Sequence, residues 1–214
     1  LLEWTCCWLC LFTLLSQGAI LKNRHDRAGD KDGRIGAYQD ADQQRKSKVM
    51  SEKEKELTAY HEAGHAVVGH VLPDSDMVHK VTIIPRGGTG GVTWAIPPDD
   101  KSYHSIVEYK DVLARMLGGR IAEEIIYGLD HVTTGAGSDL QKAAELAREM
   151  IINQGMGKNL RNQVFHVDDG MMMDRLMHER DYSDETAKLI DDEVEALIKE
   201  AAIRAGIVIK ANLP

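Results

Sequence analysis

Residues 59 to 71, AYHEAGHAVVGHV, set the tightest limit on how this chain folds. Ser51 followed by Glu54 makes a capping-box pattern and Pro73 closes the segment, so the spacing predicts a helix between them. Ala63, Gly64, Ala66, Val67 and Val68 make that helix small-sided and apolar, hence buried. Yet His61, Glu62 and His65 stand inside it, and burying two imidazoles and a carboxylate without a partner costs several kcal/mol. At about 100° per residue the two histidines lie ~40° apart around the helix and one turn apart along it, so both rings face one point in space.

Two imidazoles so placed can share one ion at about 2.0–2.1 Å, the zinc–nitrogen distance. Glu62 flanks that face, where its carboxylate can take a proton from a water. Zinc acidifies such a water and polarises a peptide carbonyl, and these are the parts of an amide hydrolase. His70, nine residues beyond His61, falls half a turn away and is no part of the constellation. The longer pattern H-E-x-x-H-x-x-G-x-x-H is not met either, because Val68 stands at its glycine and Val71 at its third histidine. A further ligand must come from elsewhere, and two sources can be argued. Glu123 and Glu124, in LGGRIAEEI, are adjacent carboxylates on a helix. Asp139, in TTGAGSD, sits where a loop enters a helix, although an aspartate there also stabilises the helix dipole by about 0.3–1 kcal/mol. Spacing leaves both open.

The other elements frame this helix. KVTIIP and VTWAIPP, either side of RGGTGG, read as a β-hairpin. The glycine cluster lacks the Gly-Lys-Ser/Thr ending of a phosphate loop and is a turn. Ile106, Val112, Leu113, Met116, Leu117, Ile121, Ile125 and Ile126 recur at helical spacing from about residue 105 to 127. Gly118 and Gly119 inside that run cost roughly 1 kcal/mol each against alanine, which points to close helix packing or a nearby ligand. A helix over about 139–153 is expected to begin with a capping box of Ser138 and Gln141 and to end at Gly155 and Gly157. Residues 158–182, with their methionine cluster, read as a loop. SDETAKLIDDEVEALIKEAAIRA is an amphipathic helix with Leu189, Ile190, Val194, Leu197, Ile198 and Ala201 inward and its charged face solvated. The ending IVIKANLP reads as a helix cut short.

Composition narrows the partners. The formal charge is −8 and basic residues form no run beyond short pieces such as RKSK, which excludes an electrostatic footprint for nucleic acid. All three cysteines lie in LLEWTCCWLC, so the main body carries no disulfide framework, and Cys7 with Cys10 make a lone CxxC without a second pair. Glu3, Gln17 and Gly18 interrupt the first apolar run, which is marginal for a membrane span and lacks a signal-peptide layout. Residues 21–45 are charged and without apolar period. Residues 1–45 are therefore set apart as a disordered leader of uncertain origin, and residues 46–214 as the working domain.

YHEAGHAVVGHVL, KVTIIPRG, LGGRIAEEIIYG and VTTGAGSDLQKAAELAREMI, in this order and at these separations, resemble the peptidase domain of FtsH-type ATP-dependent zinc metalloproteases over about residues 46–214. The resemblance implies a mainly α fold with a small β-hairpin or sheet (α+β). It implies one zinc ion per chain held by His61, His65 and Asp139, with Glu62 catalytic, the AEE carboxylates supporting, and Glu123 the runner-up ligand. It also implies polypeptide substrates received in extended form by an edge strand, for which VTWAI is the candidate. Family members form hexameric rings tethered to a membrane, with an ATPase domain ahead of the peptidase. The expected setting is therefore a membrane with the peptidase on the cytoplasmic side, or an organelle interior. This chain departs from that plan. It holds no phosphate-loop pattern, so ATP would act only through a domain missing from it, and residues 1–45 do not resemble the helical end expected there.

Two rivals remain. One is a non-catalytic zinc-binding oligomerisation module, which calls for four protein ligands where the sequence offers three. The other is a membrane-anchored binding protein built on residues 1–20.

Overall fold

The computed structural model describes residues 21–22, 50–84, 91–96, 103–165 and 182–213. The apolar run of residues 1–20 with its CxxC, the hairpin glycines 87, 88 and 90, and Met171–Met173 lie outside the described residues.

Helix α1, Glu52–Val71, starts where the capping box predicts: the Ser51 N–H donates to Glu54 Oε2 at 2.8 Å and the Glu54 N–H to Ser51 Oγ at 3.2 Å. It stops because Pro73 forces Leu72 into extended backbone, φ −77° and ψ 124°. From His61 to Gly69 every residue is buried, so α1 is the central rod rather than a surface helix, and His70 emerges into solvent. Helix α2, Ile106–Tyr127, opens on a second capping box, Ser105 with Glu108, and ends at Gly128, whose φ of 85° is open to glycine at little cost. α1 and α2 cross at Gly64 and Gly118; a Cβ on Gly118 would meet the Gly64 carbonyl at 2.7 Å, and one on Gly64 would collide with the Gly118 carbonyl. This is why the fully buried positions of α2 include Ala114, Gly118 and Ala122 beside Leu113 and Leu117, while Ile121, Ile125 and Ile126 are only half-buried.

β2, Met77–Thr82, and β3, Val92–Ile96, pair antiparallel, with Val81 opposite Thr93 and a register shift between Val78 and Lys80. The hairpin reading holds, with its first strand beginning three residues earlier than KVTIIP suggests. β1, Leu21–Lys22, pairs with Val81 and Lys80 on the far side of β2, giving the order β1-β2-β3 and leaving β3 at an edge. Two residues of the stretch expected to be structureless are thus in the sheet; two residues paired through backbone need no apolar period.

Two 3-10 turns, Leu129–His131 and Thr134–Ala136, lead into α3, Gly137–Ile152. The Ser138–Gln141 capping box does not form. The turn runs straight into α3 and puts Ser138 inside its first turn, and Gln141 bonds Glu145 instead. After Ile152 the chain turns through Gly155, at φ 60°. α4, Asp184–Ala211, capped by Ser183, packs against α2 and α3. Ile190 and Ala201 face inward as expected, but Leu189 is exposed, and Glu193, expected in solvent, is buried. Leu113, Leu117, Val67, Met150, Ala205 and Ile209 form the main core, with a smaller cluster of Ile151, Ile152, Leu160 and Ile190 below it. The molecule is mainly α with one small sheet.

Candidate metal centre

α1 presents His61 and His65 toward α2 and the start of α3, where Asp139 joins them. His61 Nε2 and His65 Nε2 are 3.1 Å apart, and Asp139 Oδ2 lies 3.3 Å from the first and 3.4 Å from the second. Four ligands at 2.0–2.1 Å around zinc sit about 3.3 Å from each other, so three corners of such a tetrahedron are already in place.

Each ring is fixed by its other nitrogen. His61 Nδ1–H donates to Glu123 Oε1 at 2.7 Å, and His65 Nδ1–H donates to the Arg115 carbonyl at 2.8 Å. A neutral imidazole bonded in this way carries its lone pair on Nε2. Two Nε2 atoms and a carboxylate oxygen then converge, an arrangement that repels itself unless a positive charge, a proton or a metal cation, lies between. The electrostatics agree. Burial opposes a charge on His61, but hydrogen bonds to Asp139 and Glu123 outweigh it and raise the imidazole to about 9. Burial likewise works against charge on Asp139, yet its bonds with His61 and His65 hold it well below the usual carboxylate range. Room for an ion is kept by Gly119, since a Cβ there would lie 2.5 Å from His61 Nε2 and 2.6 Å from His65 Nε2. The donor set and the space both fit zinc.

Glu123 therefore stands on the far side of His61, at Nδ1, rather than beside Asp139. Its Oε2 accepts from the Thr133 N–H at 2.8 Å and the Thr133 hydroxyl at 3.0 Å. The bond to His61, together with those from Thr133, overcomes the opposing effect of burial and keeps Glu123 ionised below its ordinary range. Glu124 is half-buried on the same turn of α2.

Glu62 lines the same cleft, of about 600 Å³, together with His61, His65, Asp139, Met116 and Lys142. Burial pushes its carboxyl up, against the pull of His65 and the Thr93 hydrogen bond. The Thr93 hydroxyl, on β3, lies 2.5 Å from Glu62 Oε2, and Gly91 lets the strand pass close, since a Cβ there would be 2.7 Å from Glu62 Oε1.

The structure thus brings His61, Glu62, His65 and Asp139 to one cleft. Thr93, Thr133 and the Arg115 carbonyl are contributors that sequence reasoning missed. Gly119 left a signal, a costly glycine in mid-helix; a threonine in a strand or a turn leaves none.

Comparison with known proteins agrees with this geometry. The sequence profile described as Peptidase family M41 matches residues 48–213. An ATP-dependent zinc metalloprotease FtsH of Synechococcus sp. is 43% identical over 208 residues, covering 94% of this chain and 33% of the relative. ATP-dependent zinc metalloprotease FtsH 3 of Synechocystis sp. is 43% identical over 214 residues, 94% of this chain and 34% of the relative. The Rubrobacter xylanophilus FtsH is 42% identical, over 89% and 30% respectively. The chain spans about a third of the length of these curated relatives. A share of 94% also carries the likeness into residues 1–45.

Proposed function

From the premise that this chain belongs to peptidase family M41, we propose that it is a zinc-dependent endopeptidase cutting unfolded or membrane polypeptides bound in extended form. One observation carries the reading: three ligand-type atoms stand at tetrahedral spacing at a cleft that also holds a buried carboxylate. His61, His65 and Asp139 would hold the ion. When bound, zinc supplies Lewis acidity, polarising a peptide carbonyl and making water a nucleophile near neutral pH.

The chain's own residues do the rest. Thr93 holds Glu62 Oε2, leaving Oε1 to accept the proton of the attacking water and return it to the departing amine. Burial raises the Glu62 carboxyl, and a base nearer neutrality gives its proton back more readily. β3 is the sheet edge beside α1, so we lay the substrate backbone along it; main-chain pairing is common to all peptides and leaves sequence preference weak. Coupling to ATP belongs to the parts of the relatives this chain does not span. A homohexameric ring at a membrane, with the peptidase on its cytoplasmic side, follows from the same resemblance. Among the described residues no helix is long and apolar enough to cross a membrane.

A zinc-holding assembly module would want a fourth protein ligand, and among the described residues three converge. Glu62→Gln separates the readings. It is expected to keep zinc while losing about 10²–10⁴-fold in hydrolysis of an unstructured polypeptide such as casein. A fully active variant would overturn the role of Glu62, wild-type activity untouched by a chelator would overturn the zinc dependence, and no hydrolysis by the zinc-loaded wild type would favour the assembly module.

A further inference from the structure

Thr133, joined through Glu123 to the His61 ring, has all four of its polar functions engaged. Its N–H and hydroxyl both reach Glu123 Oε2, at 2.8 and 3.0 Å. The same hydroxyl oxygen accepts from the Gly135 N–H at 3.2 Å. Its carbonyl accepts from Arg120 Nη1 at 3.1 Å. Glu123 is fully buried, so its two oxygens have no water to fall back on; one is spent on Thr133 and the other on His61.

The connectivity matters more than the count. Toward α2, Thr133 holds the carboxylate that sets the rotation of the His61 ring. Toward α3, its hydroxyl closes the first bond of the turn Thr134–Ala136, which enters α3 directly and delivers Asp139. His61 belongs to α1 and Asp139 to α3, 78 positions apart in sequence, and their 3.3 Å separation must hold to a few tenths of an ångström for both to grip one ion.

We propose that Thr133 is a positioning residue that locks the His61 ring and the Asp139 arm of the metal centre to each other, acting through Glu123. The proposal rests on the zinc reading above. Partners one bond removed from a metal ligand are worth 10- to 100-fold in metal affinity, and Thr133 serves two ligands at once.

The test is zinc affinity of the 214-residue chain, read by competition with a chromophoric chelator at neutral pH. Thr133→Val keeps the shape and the backbone donor but loses the hydroxyl; it is expected to bind zinc at least tenfold more weakly, and Thr133→Ser within about twofold of wild type. Thr133→Ala gives the same comparison should valine not fit. In a Glu123→Gln background the valine change should add little, because its route is already cut. Tight wild-type binding with unchanged affinity in both hydroxyl-less variants, or full additivity with Glu123→Gln, would overturn the link while leaving the zinc reading intact. Failure of the folded wild type to bind zinc would overturn both.

Discussion

Two buried glutamates, Glu123 against His61 and Glu193 against the loop that carries Leu160 of the smaller cluster, do the same job in different company. Each sits on a long helix and reaches out to hold a loop. Glu193 spends both oxygens on backbone, accepting from the N–H groups of Lys158 at 2.7 Å, Asn159 at 2.5 Å and Leu160 at 3.2 Å, with Gly157 pressed against its carboxylate. Glu123 gives one oxygen to the Thr133 loop and turns the other to His61. The same device, a carboxylate gripping backbone donors, is pure architecture at Glu193. At Glu123 it is bonded to His61, so a loop's position becomes a histidine's orientation.

Breaking the cradle itself should give the largest effect. Gly119→Ala would drive a methyl group between the two imidazoles, and zinc content should fall to background while the helical circular dichroism persists. Zinc retained at wild-type level would mean that the rings do not converge as described. Next in size, Glu193→Ala should cost about 2–4 kcal/mol in denaturant unfolding, since it strips a charged acceptor from three N–H groups. Its zinc affinity should stay at the wild-type value, and a large drop there would erase the distinction between the two glutamates. Glu123→Gln is the mirror experiment. An amide offers an acceptor on one side only, so either the loop or the ring is lost, with zinc affinity expected to weaken 10- to 100-fold, about 1.4–2.7 kcal/mol.

The smallest effect is in pH. In the metal-free chain His61 is raised from 6.5 to about 9, burial opposing the charge and the Asp139 and Glu123 carboxylates more than restoring it. A raised folded value means this contribution is whole below pH ~6.5 and fades as pH climbs through about 9. The metal-free protein should therefore lose a few degrees of unfolding temperature across that window. Zinc, standing where the proton stood, should flatten the dependence. Parallel curves for the two forms would show that the proton and the ion do not compete.

Much of this centre could be read before folding. His61, Glu62 and His65 share one helical turn, and a helix's period is local, so their convergence follows from spacing alone. The capping box of Ser51 with Glu54 is likewise local and formed as read. The Ser138–Gln141 box failed because the same residue pattern suits a first turn as well as a cap, and only the preceding 3-10 turn decides which. Spacing left Asp139 and Glu123 level, and the resemblance favoured Asp139. Their separation depends on which nitrogen of His61 each reaches, a difference of one side of a ring. Glu193 was misjudged for a related reason: a charged residue on an amphipathic helix looks solvated until a loop from elsewhere folds over it.

The sequence by itself determined the helices, the hairpin and the paired histidines with their adjacent carboxylate, because each arises from contacts within a few residues along the chain. Only the tertiary structure decided that Asp139 meets them, that Glu123 bonds the far nitrogen of His61, and that Thr93 and Thr133 hold the two carboxylates. Those contacts join residues 10 to 78 positions apart. The bond of His61 to Glu123, for one, needs the close crossing of α1 and α2 at a pair of glycines, a distance set by packing and not by any local period.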